Sequence, residues 1–180
     1  MASTSMIFLE GQGGRGKYRE GLISGALKPG IVVQFKSAVE PVQGKTYTFE
    51  PYAPDKDGFR RPIIVLLEDW GQGKLPTVAY ADGDRGFLYQ PLAGDELNML
   101  CASANGALAI GDPMMVDTGT GKLLSATAFV ADYATPGLDT EAEVIVALNL
   151  LKNAPQGHPF TVLATTADPA ADTLVLCQFN

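Results

Sequence analysis

Val78 to Thr127 reads VAYADGDRGFLYQPLAGDELNMLCASANGALAIGDPMMVDTGTGKLLSAT, and the way this stretch alternates decides the fold. Apolar runs of strand length (TVAY, GFLYQ, ELNMLCA, PMMVD and KLLSATAFV) are divided by ADGD, PLAGD, SANGALAIGD and TGTG. The dividers carry Asp-Gly and Asn-Gly. Glycine takes positive φ without a steric penalty, and Asp and Asn hydrogen-bond their own backbone, so these residues close tight turns. Short apolar runs with a turn signal every ten residues or so predict a mostly β domain.

The same grammar extends in both directions. Upstream lie IVVQF (31–35), TYTF (46–49) and PIIVLLE (62–68), with EPYAPDKDGFRR (50–61) as a polar loop. Downstream, past TPGLD, lie EVIVALNLL, FTVLA and TLVLCQF. Thr140 and Glu143 have the spacing of a helix capping box, but Val144-Ile145-Val146 is β-branched and argues for a strand. We read a strand there. No internal repeat is evident. Residues 1–20 are Gly-rich with one apolar run, Met6-Ile7-Phe8-Leu9, and read as an N-terminal arm. Residues 21–180 then form the β-rich domain, with 151–180 as an added C-terminal element.

At 180 residues the chain suffices for one domain with a core. Its 46% hydrophobic and 18% charged residues place it among globular rather than disordered chains. Twenty glycines and 12 prolines, scattered rather than clustered, agree with a turn-rich β fold. The net charge of −7 argues against a duplex-binding surface, which needs clustered Lys and Arg. Beyond Arg85 the only cations are Lys122 and Lys152, so an anionic partner would meet the basic N-terminal residues Arg15, Lys17 and Arg19. Cys101 and Cys177 each sit in an apolar run and read as buried free thiols. Met1–Ser5 lacks the basic start and apolar core of a signal peptide, and no apolar run reaches the length of a membrane span. These features imply synthesis in a reducing cytoplasm.

Several motifs invite an enzymatic reading. In EGQGGRGKYRE (10–20), Gly11, Gly13 and Gly16 satisfy G-x-G-x-x-G, and Gly16-Lys17 nearly completes a phosphate loop. A dinucleotide site needs a helix opening on the last glycine. The next residues, KYREGLISGALKPG, hold Gly21, Gly25 and Pro29, which disfavour one. Tyr18 stands where the loop needs a small hydroxyl for magnesium. Val116-Asp117-Thr118-Gly119 matches the aspartic-protease signature, but that chemistry needs a second aspartate to share the proton. A homodimeric protease using Asp117-Thr118-Gly119 is the alternative reading; a hairpin turn with positive φ at Gly119 and Gly121 is the simpler one. His158 lies in a Gly-His-Pro turn with no acid or nucleophile near it in sequence. Asp55-Lys56-Asp57-Gly58 lacks the first and last ligands of a calcium loop, Ala53 and Ile64 standing there. No cofactor is expected, and the chain is not expected to be an enzyme. Trp70, Phe87, Tyr89 and Phe129 read as core or subunit-contact aromatics.

Val78–Thr127 resembles the core of head decoration (cement) proteins of tailed bacteriophages. The resemblance is carried by Tyr80-Ala81-Asp82-Gly83-Asp84 before an aromatic strand, Pro91-Leu92-Ala93-Gly94-Asp95-Glu96, Ile110-Gly111-Asp112-Pro113, and Asp117-Thr118-Gly119-Thr120-Gly121-Lys122-Leu123. Ile23-Ser24-Gly25-Ala26-Leu27-Lys28-Pro29-Gly30-Ile31-Val32-Val33 is similar to the opening of the same domain, so the likeness spans about residues 20–150. It implies a small β-barrel or β-tulip domain, a homotrimer on the outer surface of the virion, and a non-enzymatic role. Such proteins bind the major capsid protein of the expanded head and hold capsomers together. Neither nucleic acid nor membrane is expected as a partner. Within that reading Met6, Ile7, Phe8 and Leu9 add as a strand to a capsid sheet edge. Arg15, Lys17 and Arg19 then steer association with an acidic outer surface.

Overall fold

The computed structural model describes residues 8–10, 17–36, 47–53, 63–117, 119–126, 128, 160–165 and 172–180. Its strands are β1 (Phe8–Glu10), β2 (Lys17–Ile23), β3 (Val32–Phe35), β4 (Thr48–Pro51), β5 (Ile64–Leu66), β6 (Arg85–Gln90), β7 (Glu96–Cys101), β8 (Pro113–Val116), β9 (Leu123–Ser125), β10 (Phe160–Val162) and β11 (Thr173–Phe179). The mostly β architecture read from the sequence is what the chain adopts, built as two barrels. Strands β2-β4-β3-β5-β6 close the first. The second runs β7-β11-β10-β8-β9 and closes through a parallel β7–β9 bridge, with β1 added on β7. Closure removes most of the open edges that a sheet would expose.

Val78–Thr127 supplies much of this, and three of its turns are one device. Ala81-Asp82-Gly83-Asp84, Leu92-Ala93-Gly94-Asp95 and Ala109-Ile110-Gly111-Asp112 each put glycine at positive φ, 82°, 93° and 93°. In each, the Asp N–H donates to the carbonyl of the first residue, at 3.1, 3.0 and 3.2 Å. The Asp carboxylate in turn accepts the N–H of that first residue, at 2.8 Å in all three. Every turn delivers the chain straight into a strand, β6, β7 or β8. A four-residue unit is too short to register as a sequence repeat.

The two barrels share their packing. Strands β3 and β5 are buried on both faces. Val33, Ile64 and Leu66 point into the first barrel beside Ile23, Phe49 and Leu88. Val32, Val65 and Tyr89 point out of it, into a cluster with Leu97, Met99, Cys101, Phe160, Val175 and Cys177 of the second barrel. The joint itself is backbone. Gly30 donates to Leu66 O and accepts from Leu100 N, both at 2.8 Å, while Val32 donates to Gly121 O at 2.7 Å. The Gly30–Val32 segment thus hydrogen-bonds to β7 and to the β8–β9 turn as well as to its own barrel. Both Cys101 and Cys177 are buried and unpaired as disulfides, as their apolar context implies.

Several expectations need correction. TVAY is no strand: Val78 lies in a bend, and Tyr80 makes one isolated bridge with Leu27. Tyr80 is fully buried, and its hydroxyl donates to Leu67 O at 2.9 Å, so it is held as a plug rather than a strand residue. In KLLSATAFV the strand stops at Ser125, whose Oγ accepts from Ala128 N, and Ala126 and Ala128 are helical. The boundary drawn at residue 20 falls inside β2, whose Lys17–Leu22 pairs with β6 over six consecutive positions. From 151–180, β10 and β11 are integral strands between β7 and β8. The run EVIVALNLL, His158 and Phe129 lie outside the described residues.

Candidate functional site

Asp117 tests the enzymatic alternative. Its backbone N–H donates to Lys122 O at 2.8 Å, and its carbonyl accepts from Gly121 at 3.0 Å. Its carboxylate accepts the Thr120 hydroxyl, which in turn accepts Lys122 N at 3.3 Å. Gly119 and Gly121 have φ of 89° and 70°. This is the β8–β9 hairpin turn, and the aspartate's lone pairs serve the turn.

The other carboxylates also serve turns and joints. Asp95 is fully buried at the start of β7. It accepts from Tyr89 Oη at 2.5 Å and from Leu92 N at 2.8 Å, which ties the second barrel's first strand to the wall of the first. Burial, then the Asp95 hydrogen bond, pushes the Tyr89 phenol well above its ordinary value. Burial does the same for Tyr80. Asp172 accepts Ser103 N and sits 2.6 Å from Lys122 Nζ. Burial opposes its charge, yet the Lys122 ammonium and the Ser103 N–H hold its carboxyl below the ordinary value. Asp84, bonded to Lys74 and Ala81, is likewise lowered. Among the described residues no three His, Cys, Asp or Glu side chains converge as a metal site.

What the described surface offers instead is contact area. Strand β1 pairs with β7 as Phe8↔Leu97 and Glu10↔Glu96, with an irregularity between. Of the candidate contact residues, Phe8 and Leu9 lie in this strand, while Met6, Ile7 and Arg15 fall outside the described residues. Lys17 and Arg19 are in β2, Lys17 exposed and Arg19 half-buried with its Nε unpartnered among the described residues. The structure therefore brings two of the basic residues onto one strand, which pairs with β6. The sequence reading missed one exposed aromatic, Tyr18. Tyr18 is 61% exposed and stacks at 4.9 Å on Tyr89, and Phe87 lies on the same wall, paired opposite Glu20. Of the two readings given for Trp70, core or subunit contact, its 62% exposure in the 3-10 turn Trp70–Gln72, capped by Asp69, rules out the first. The signal for Tyr18 was present as KYRE, an aromatic among charges.

No family of known proteins matches the chain, and no curated protein matches it in sequence. Among solved structures it is similar to the N base of the head fiber gp8.5 of bacteriophage phi29, with a TM-score of 0.46 and 7% identity over 92% of this chain and 95% of that one. At that score and identity the likeness says nothing of function.

Proposed function

We propose that this chain is a decoration protein of a tailed-phage head, binding the outer surface of the expanded capsid and stabilising capsomer junctions as a homotrimer. The observation that carries the reading is the order of turns in Val78–Thr127. The segments that resemble decoration proteins form the corners of the fold: the three Gly-Asp turns and the Asp117 hairpin. The reading is also supported by where the polar chemistry goes. Asp84, Asp95, Asp112 and Asp117 are each engaged by their own turn, so this stretch spends its carboxylates on shape.

In this reading the capsid contact is main-chain and N-terminal. Strand β1 has one edge on β7 and no other partner strand among the described residues, so a capsid strand can extend the sheet there. Lys17 and Arg19, with Arg15, face an acidic capsid surface and speed encounter in a salt-dependent way. Three copies around a local three-fold axis gain avidity. Co-sedimentation of the purified chain with expanded heads that lack it tests the proposal. Saturable binding with an integral stoichiometry per capsomer junction is expected; failure to bind at any salt concentration refutes it.

A further inference from the structure

We infer that β1 is an exchangeable strand: in the assembled protein the Phe8–Glu10 strand of one copy pairs with β7 of a second copy. Three observations point there. First, β1 has one neighbouring strand among the described residues, β7, and joins it irregularly. Among the described residues two register pairs, with an irregularity between them, hold it to β7. Strand β2, by contrast, holds β6 through six consecutive pairs. Second, the second barrel closes without β1. Beyond Leu97 the same edge of β7 is taken by Gly30, bonded to Leu100 N at 2.8 Å, and by β9, whose Leu123 O accepts from Ala102 N at 3.0 Å. Releasing β1 leaves that closure intact.

Third, the place where copies would meet is apolar and within reach. Residues 11–16, GQGGRG, join β1 to β2, so Glu10 and Lys17 lie at most about 25 Å apart. A neighbour's β7 must therefore lie close to Lys17. Beside Lys17 stands exposed Tyr18, its ring tilted against Tyr89 at 4.9 Å, and Leu92 is 43% exposed. Tyr89 Oη and Leu92 N share one Asp95 oxygen, which fixes the Leu92 backbone near the Tyr89 hydroxyl. Exchange remakes the same strand pairs and adds the burial of Tyr18 and Leu92 between copies, so concentration favours the exchanged form. The inference does not depend on the capsid reading.

Cysteine pairing tests it. Glu10→Cys and Glu96→Cys chains are prepared separately, mixed, refolded together and oxidised, then run on a non-reducing gel. Exchange gives a mixed dimer band that neither variant gives alone. The double variant in one chain gives closed multimers under exchange. A double variant that links wholly within one chain, with no mixed dimer between the singles, overturns the inference. Light scattering on the full chain and on a chain lacking residues 2–10 provides a second readout without cysteines. The full chain is expected to be oligomeric and the shortened chain to dissociate at least tenfold more readily. An oligomer of unchanged strength without β1, or a monomeric full chain at high concentration, equally overturns it.

Discussion

Replacing Gly121 with alanine probes the joint between the barrels. A β-carbon at this position would stand 2.1 Å from Val32 O and 3.1 Å from Val32 C, backbone atoms that cannot swing aside. The backbone is also at φ +70°, where a side chain costs about 1–2 kcal/mol. Relieving the overlap moves Val32 away from Gly121 and breaks its 2.7 Å hydrogen bond. It also strains the 3.1 Å bond from Tyr52 N to Val32 O. A buried backbone group left without a partner costs about 1–3 kcal/mol. Together these terms reach about 2–5 kcal/mol, a large share of the 5–15 kcal/mol typical of a whole domain. Gly83→Ala is the control: φ is 82° there and nothing lies within 4 Å, so only the strain of about 1–2 kcal/mol applies. Urea unfolding followed by circular dichroism suits the comparison, since Trp70 is too exposed to report on the core. Gly121→Ala should be less stable than Gly83→Ala by about 1–3 kcal/mol. Equal midpoints for the two variants would refute the joint as drawn.

Other outcomes follow from the same structure. Cys101 and Cys177 are buried, and the neighbouring Cys101 thiol together with burial pushes the Cys177 thiol well up. Neither should react with a thiol reagent at pH 8 until the chain unfolds, and rapid labelling of the native protein would contradict this. Asp172 has a folded pKa below its usual 3.8, so the folded state binds the proton less readily than the unfolded one. Its contribution is present above about pH 4 and is lost as the pH falls through the lower folded value. Asp172→Asn should therefore cost more stability at pH 6 than at pH 2; a cost independent of pH would argue against the Lys122 pair. Asp117→Asn keeps an acceptor for Thr120 and should change stability by less than about 1 kcal/mol. No acid-dependent proteolysis is expected in either form, and its presence in the wild-type chain with loss in the variant would restore the protease reading.

How much of this was legible in the sequence differs by level. The turns were, because Gly-Asp chemistry is local: ADGD, PLAGD and AIGD each close on their own backbone. Strand pairing was not. β10 and β11 sit between β7 and β8, although the intervening chain separates them by many residues, and no local pattern encodes that choice. Two barrels rather than one were signalled weakly by IVV and PIIVLL, whose unbroken apolar runs mean burial on both faces. The alternation rule fails there because Val32 and Val65 face a second core. TVAY failed for another reason: Tyr80 is apolar because it plugs the first barrel, and it needs only a single bridge to do so. Of the candidate contact residues, basic character was visible at Lys17 and Arg19. That their strand closes a barrel was not, since KYREGLI owes its strand state to pairing with Arg85–Gln90.

The central claim is that this chain acts by binding a capsid through its N-terminal strand, and co-sedimentation with expanded heads tests it most directly. The full chain and a chain lacking residues 2–10 are titrated onto heads that carry no decoration protein. The shortened chain first has to show an unfolding midpoint close to that of the full chain, since both barrels close without β1. The account predicts saturable binding by the full chain and at least a hundredfold weaker binding by the shortened one, a loss of about 2.7 kcal/mol. Equal decoration of the heads by both chains, or by neither, would contradict it.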